Sequence, residues 1–224
     1  MDRRSLLEYL IAAILKASQT SYPVTVIGID GKGCSGKSTI SNSIFKALKT
    51  INLSCELVSI DDFCNPRNIR YSPDVIEPLQ VYQHNFDETL FDTILTNAHG
   101  AGSLEIEVMT LNVKTDKLST PISIHLPHGG ILLVEGIHLF KNHRKHLFDL
   151  KILITIDEKV QLDRALIRDP ERGVRTEDIV RKYQTRFIPS YQYYLNVDNP
   201  LSTADIIVNN DDLSNPLIIK QFSP

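Results

Sequence analysis

Apolar residues recur along the chain at two spacings, which predict alternating helices and strands. A capping box at 5–8 precedes an apolar stripe with helical spacing and predicts a first helix. Short continuous apolar runs predict buried strands beginning at Pro23 and at 54–60, 131–134, 151–156 and 204–208, with an edge strand at 217–219. Because strands alternate with helices, we expect an α/β fold with a doubly wound parallel sheet and helices on both faces, forming one domain over 1–224.

Other segments depart from this alternation. The spacing changes to period two over 104–126, which predicts a β-hairpin at about 103–126 that projects from the sheet. Three prolines make 64–83 an irregular loop, the kind that often binds ligands. Asn85 and Asp157 are predicted helix N-caps, and Pro189 is expected to end or kink the last long helix.

The first predicted strand runs into the pattern G-x-x-x-x-G-K-[ST], a P-loop signature for nucleotide phosphates. Gly31 and Gly36 let the backbone turn so that consecutive N–H groups point at phosphate oxygens. Lys37 adds a catalytic cation for the terminal phosphates, and Ser38 offers a hydroxyl to Mg²⁺. The predicted nucleotide contacts are Gly31, Lys32, Gly33, Cys34, Ser35, Gly36, Lys37, Ser38 and Thr39.

Composition restricts the class of ligand and the cellular compartment that we expect for this protein. The 224 residues carry a net charge of −3, which provides no overall field for nucleic acid or an anionic membrane, so neither is expected as a partner. Three cysteines without paired C-x-x-C spacing argue against a disulfide framework or a zinc site and favour a reducing cytoplasm. A small-molecule acceptor is the expected partner, and homo-oligomer formation is left open.

Acidic residues follow two of the predicted strands. Glu135 comes directly after the strand at 131–134, where an acid associated with Mg²⁺ is expected beside Ser38. Asp61 follows the second strand and would accept the proton of a hydroxyl that attacks the γ-phosphate. Asp62 is the alternative base.

Arginine is concentrated near the end of one predicted helix. Arg164 and Arg168 are four residues apart and share a helix face, and Arg172 and Arg175 follow. Guanidinium groups that close over a triphosphate neutralise charge and exclude water, so Arg164 and Arg168 are candidate nucleotide contacts and Arg168 and Arg172 candidate catalytic groups, in a lid at about 168–176. The alternative is an exposed helix end in which the arginines pair with Asp163, Asp169 and Glu171.

These motifs together resemble the uridine kinase/phosphoribulokinase family of P-loop kinases. The similar segments are 31–39, 59–63, 133–137, 164–173, 181–194 and 204–210. The resemblance implies that Asp61 is the base or a metal partner, that Glu135 attends Mg²⁺ and that the arginine-rich segment is a lid. Nucleoside kinases of the family also carry a Tyr-Asp-centred motif with a following His and Arg, and the corresponding region here, 110–117, lacks it.

The acceptor is therefore expected to be held by other residues. The loop after Asp61 offers hydrogen-bonding groups and stacking faces. The candidates are Asp62, Arg67, Arg70, Tyr71, Tyr82, His84 and Asp87. His138, His143 and His146 lie among basic residues and are expected to form a solvated basic loop rather than a metal cluster.

The leading hypothesis is an ATP-dependent kinase, with ATP and Mg²⁺ as cofactors, that phosphorylates a hydroxyl of a nucleoside-like metabolite. One alternative keeps the chemistry and changes the acceptor to a sugar, glycerate-like or pantothenate-like alcohol. The other is a nucleotide-binding regulator without transfer activity.

Overall fold

The computed structural model describes residues 1–19, 23–100 and 102–222. The strands are β1 (Val24–Gly31), β2 (Cys55–Ser59), β3 (Leu104–Asn112), β4 (Lys117–Leu126), β5 (Gly130–Gly136), β6 (Leu150–Thr155), β7 (Ile206–Asn209) and β8 (Leu217–Lys220). The helices are α1 (Arg3–Ala17), α2 (Lys37–Thr50), α3 (Arg67–Arg70), α4 (Glu77–Leu79), α5 (Glu88–Gly100), α6 (Glu158–Arg168), α7 (Thr176–Lys182), α8 (Ile188–Asp198) and α9 (Pro200–Thr203).

The main sheet runs in the order β2-β5-β1-β6-β7-β8. All pairings are parallel except that of the edge strand β8, which is antiparallel to β7. Strand β1 is central and buried along its whole length, which explains its continuous apolar sequence. The predicted α/β fold with a mostly parallel sheet is confirmed.

Two hydrophobic layers cover the two faces of the sheet. Ile27 and Ile29 point to the layer that contains α1 and α2. Val24 and Val26 point to the opposite layer, which contains α5 and α8. Alternate residues of one strand therefore fill both layers, and each fully buried Ile or Val contributes roughly 1.5–3 kcal/mol.

Strands β3 and β4 pair with each other as an antiparallel hairpin, in a sheet of their own. Leu104, Ile124 and Leu126 are buried in the same layer as α5. The base of the hairpin thus packs on the main body, and its turn contacts α3, because the Asp116 carboxylate accepts from the Arg67 N–H over 3.0 Å. No helix in the described part of the chain is long and apolar enough to span a membrane.

Several local predictions were wrong. The N-cap of α1 is Asp2, whose carboxylate accepts from the Ser5 N–H over 2.7 Å, so Ser5 does not cap the helix. Helix α5 begins later than predicted, and Asp87 rather than Asn85 accepts from its first turn, at Leu90 N–H. In each case a carboxylate two or three positions from the predicted cap accepts from an N–H group of the first helical turn. The loop at 64–83 also contains the short helices α3 and α4.

Pro189 does not end the helix in which it lies. Helix α7 continues through a π-helical turn at Tyr183–Phe187 directly into α8. A proline ring normally clashes with the carbonyl four residues earlier. The wider π-turn before Pro189 gives the ring room, and the helix continues past it.

Candidate active site

The phosphate loop has a shape that side chains at two positions would prevent. Gly36 has φ +90°, and a Cβ there would lie 2.6 Å from Nδ2 of Asn210. A Cβ on Gly31 would lie 2.7 Å from Oγ of Ser35 and would collide with the carbonyl of Ile154. Helix α2 starts immediately after this loop, so its free N–H groups face the space that the loop encloses. An anion fits there.

Groups outside the P-loop signature hold the loop in this shape. Asn210, which follows β7, donates from Nδ2 to the Ser35 carbonyl over 2.7 Å. Arg164 donates to the carbonyls of Cys34, Asn210 and Asp211 over 3.2, 2.7 and 2.8 Å. Arg164, predicted as a mobile nucleotide contact, thus has its donors directed at main-chain carbonyls and ties α6 to the loop. Sequence reasoning gave Asn210 no role, although it lies directly after a buried strand and ends the similar segment 204–210.

Glu135 lies at the centre of an oxygen-rich group beside the loop. Its Oε2 accepts from the Ser38 hydroxyl over 3.0 Å and its Oε1 from the Ser59 hydroxyl over 2.9 Å. Parallel pairing of β2 with β5 places Ser59 opposite Glu135. Glu135 is 7% exposed. Hard oxygen donors of this kind suit Mg²⁺. Ser59 was not predicted, although it ends a strand at the same edge as Glu135.

Two cavities meet at the start of α2. The larger, of about 440 Å³, is lined on one side by Asp61 and His138. The smaller, of about 310 Å³, lies against Cys34 and Thr39. Four residues belong to the walls of both, namely Lys37, Ser38, Arg168 and Arg172. A group held between Lys37 and Ser38 is therefore accessible from both sides.

The remaining predicted loop contacts divide between these cavities. Lys32 and Gly33 line the larger cavity, and Gly36 lines the smaller one. The Ser35 side chain is buried and its hydroxyl has no partner among the described residues. Burial lowers the pKa of the Lys32 ammonium, while nearby acids oppose the effect.

The two candidate bases differ in position. Asp61 and Asp62 are both exposed, but only Asp61 lines the larger cavity. Both lie in a short turn, Ile60–Phe63, where the Asp61 N–H donates to the Ser59 hydroxyl over 3.3 Å. Desolvation raises the pKa of Asp62, and the charges of Asp61 and Glu135 raise it further. This placement favours Asp61 as the group that faces a ligand.

The arginine-rich segment forms a short turn between α6 and α7. Arg168 donates to Asp169 over 2.6 Å and to the Tyr183 hydroxyl over 3.1 Å, and it is half-buried. Arg172 is exposed at the boundary of both cavities. Arg175 instead pairs with Asp178 over 2.9 Å at the exposed start of α7 and lines neither cavity.

The residues predicted to hold the acceptor lie outside the wall of the larger cavity. Tyr82 donates its hydroxyl to Asp198 over 2.6 Å, and the buried Arg70 donates to a main-chain carbonyl. In the described part of this loop, Val81 and Asn85 line the cavity instead. The acceptor candidates that lie outside this wall are Asp62, Arg67, Arg70, Tyr71, Tyr82, His84 and the helix-capping Asp87.

The segment that was expected to be a solvated basic loop is exposed only in part: His143 and His146 are exposed, whereas His138, Lys141 and Arg144 are buried, so the prediction was wrong for these three. Arg144 is fully buried and pairs with Glu88 over 2.6 Å and with Asp92 over 2.9 Å. Lys141 is also buried and pairs with Glu88. Both acids come from α5, about fifty residues earlier. Buried charges of this kind are stable only when paired, and the partners were too distant in sequence to be recognised.

Comparison with known proteins gives consistent matches. The model of the phosphoribulokinase / uridine kinase family matches residues 26–213. A uridine kinase of Limosilactobacillus reuteri is 27% identical over 203 residues, which covers 87% of this chain and 86% of that protein.

Solved structures match over nearly the whole chain. A possible uridine kinase from Bacillus stearothermophilus matches with a TM-score of 0.71 at 21% identity, covering 91% of this chain and 97% of that chain. A D-glycerate 3-kinase from Cryptococcus neoformans matches with a TM-score of 0.67 at 12% identity, covering 96% and 99%. At these identities the structural matches show a shared fold.

Proposed function

The chain belongs to the phosphoribulokinase/uridine kinase family, and we propose that it transfers the γ-phosphate of ATP to a hydroxyl of a small nucleoside-like metabolite. Two cavities that meet at Lys37 and Ser38 support this proposal above all. The smaller one would hold the nucleotide and the larger one the acceptor. A transferable phosphate at the boundary would then be reached by the acceptor from the side of Asp61.

Phosphoryl transfer depends on positioning and charge, and the loop region offers both. Main-chain N–H groups at the start of α2 and the Lys37 ammonium would hold the phosphate oxygens. Ser38 and Glu135, whose oxygens are 3.0 Å apart, fit Mg²⁺ by donor type. When bound, the ion neutralises phosphate charge. Ser59 fixes the orientation of Glu135.

Asp61 is the proposed base. Its carboxylate would take the proton of the acceptor hydroxyl as that oxygen forms a bond to the γ-phosphorus. The bond between the γ-phosphorus and the β,γ-bridging oxygen breaks, and ADP leaves with that oxygen. The proton then passes from Asp61 to solvent.

Arg168 and Arg172 are proposed to close over the transferred phosphate. Both border the two cavities. Gly173 has φ +80° and open space where a Cβ would stand, so the backbone directly after Arg172 has the conformational freedom of glycine. Closure would exclude water and favour transfer to the acceptor over hydrolysis.

A non-nucleoside alcohol is the second candidate acceptor. The region in which nucleoside kinases of the family carry their Tyr-Asp motif lies in the hairpin here, and described residues 104–126 line neither cavity. A sugar, a glycerate-like or a pantothenate-like alcohol would not need that motif.

ADP release measured over a panel of nucleosides, sugars, glycerate and pantothenate tests the proposal. We expect one acceptor to stimulate ADP release, Lys37→Ala to abolish it, and Asp61→Asn to lower kcat by about 10²–10⁴. Asp62→Asn is the matched control and should change kcat much less. Slow hydrolysis that no acceptor stimulates and that Asp61→Asn leaves unchanged would instead indicate a nucleotide-binding regulator.

A further inference from the structure

The wall of the larger cavity includes His138 and Tyr191. Each carries a buried polar atom, Nδ1 of His138 and the hydroxyl of Tyr191, that has no hydrogen-bond partner among the described residues. His138 is 2% exposed and Tyr191 is 5% exposed. Burying such atoms without partners costs free energy that a ligand can recover by bonding to them. Both therefore mark a place where a ligand group is expected.

The surrounding aromatic residues hold both side chains in place. The His138 ring stacks on Tyr191, with centroids 5.8 Å apart and an interplanar angle of 26°, and contacts Tyr194 at 4.9 Å. Tyr194 is itself fixed, because its hydroxyl donates to the buried Asp30 over 2.5 Å and accepts from the Phe140 N–H over 2.9 Å. Neither polar atom is thus free to turn toward another partner.

The backbone at His138 adds a further constraint. Its φ is +57°, a left-handed conformation that few residues other than glycine adopt. Such conformations concentrate at ligand sites, where the surrounding structure maintains them. His138 follows β5 by two residues, so the turn after Glu135 directs its side chain to the same cavity as Asp61.

The pair presents neutral groups to the cavity. Burial lowers the pKa of His138 well below its usual value, and the charges of Lys141, Arg144 and Lys37 act in the same direction. A neutral imidazole has one donor and one acceptor nitrogen, and a tyrosine hydroxyl can donate or accept. Lys141 and Arg144 are already paired with acids of α5.

The charged part of the cavity comes from other elements. Its cations belong to the phosphate loop, α2 and the segment from Arg168 to Lys182. Among the described residues that follow β2 and β5, the wall consists of Asp61, Val81, Asn85, Ile137 and His138, with no cation. Lys32 Nζ lies 5.6 Å from the centre of the Tyr191 ring, so one cation of the phosphate loop borders the pair on the side of Tyr191.

We propose that His138 and Tyr191 form the recognition pair for the acceptor and bind a neutral hydroxyl, carbonyl or amide group of it, rather than a carboxylate or phosphate. The acceptor is then a neutral hydroxylated molecule with a flat or apolar face against Ile137 and Phe187. This inference rests on the proposed kinase function and adds the class of its acceptor.

Tyr191→Phe tests the pair with the smallest change, because it removes one oxygen and keeps the ring. We expect its KM for a neutral acceptor to rise about 3- to 10-fold, as for the loss of one hydrogen bond, with the KM for ATP unchanged. The melting temperature of the free protein should stay level or rise, since an unpartnered buried hydroxyl is removed. An unchanged acceptor KM would overturn the inference, whatever the melting temperature.

Two further variants complete the design. Tyr193→Phe is the matched control, because Tyr193 lies on the same helix, is exposed and does not line the cavity. It should leave both KM values unchanged. His138→Asn keeps a residue that tolerates positive φ while removing the imidazole, and it should raise the acceptor KM in the same way as Tyr191→Phe.

The acceptor panel separates this inference from the kinase proposal. Uridine, D-ribose and ribitol are the neutral probes, and D-glycerate and pantothenate are the anionic ones. Turnover of an anionic probe alone would overturn the inference while the kinase proposal stands. If no probe stimulates ADP release, thermal shift still tests the pair: a neutral probe should stabilise the wild type more than Tyr191→Phe, and equal shifts or none would overturn the inference as well.

Discussion

Replacing Gly36 with alanine tests whether the phosphate loop owes its shape to a close contact with Asn210. Alanine in a left-handed conformation costs about 1–2 kcal/mol. The new Cβ would also lie 2.6 Å from the Asn210 amide nitrogen, which now donates to the Ser35 carbonyl. Displacing that donor leaves a buried carbonyl unpaired, at a cost of about 1–3 kcal/mol. We expect Gly36→Ala to lower the free energy of unfolding by about 2–5 kcal/mol.

Gly129→Ala is the matched control for this change. Gly129 has φ +81°, close to that of Gly36, but a Cβ there meets no atom within 4 Å. Gly129→Ala should therefore lower the free energy of unfolding only by the cost of the left-handed backbone, about 1–2 kcal/mol. It should leave the affinity for ATP unchanged. Urea unfolding measures the free energies, and isothermal titration with ATP and Mg²⁺ measures the affinity. Equal destabilisation by the two variants, or wild-type ATP affinity in Gly36→Ala, would refute the reasoning.

Three further predictions concern buried charges. Glu135→Gln keeps the side-chain size but removes its charge, so the melting temperature should change little while the Mg²⁺ concentration for half-maximal ADP release rises at least about tenfold. Arg144→Met removes one buried partner of two half-buried acids, of which Glu88 keeps Lys141, and should lower the free energy of unfolding by about 1–3 kcal/mol in urea, whereas loss of the exposed Arg175 should change it little. Burial raises the pKa of Asp30 from 3.8 to about 6; its contribution to stability is therefore complete below pH 3.8 and is lost as the pH rises through 6, by up to about 3 kcal/mol. The stability of Asp30→Asn relative to the wild type should accordingly increase by up to that amount between about pH 4 and pH 7.5, and a constant difference would contradict the assignment.

Sequence patterns predicted the parts of the fold that depend on local spacing. The buried strands and α2 followed from continuous apolar runs and from the P-loop signature, and the approach of Glu135 to Ser38 followed from the common edge of parallel strands. Helix caps were less predictable, because several polar residues stand near each helix start and Asp2 and Asp87, rather than the predicted caps, accept from the first-turn N–H groups.

Contacts between distant segments could not be predicted from one sequence. Asn210 meets the phosphate loop 175 positions earlier, so no local pattern marks it as a support. The burial of Arg144 depends on acids of α5, and a run of basic residues looks solvent-exposed without them. His138 and Tyr191 meet only after α8 packs on the end of β5. Tertiary packing, rather than spacing, brings these side chains together.

The position of a bound nucleotide tests the central claim most directly. A crystal structure with a non-hydrolysable ATP analogue and Mg²⁺ should show the terminal phosphate between Lys37 and Ser38, at the boundary of the two cavities. The nucleoside should lie in the smaller cavity, with Asp61 facing the phosphate across the larger one. A terminal phosphate bound away from Lys37, or a nucleotide that fills the larger cavity and covers Asp61, would contradict the account.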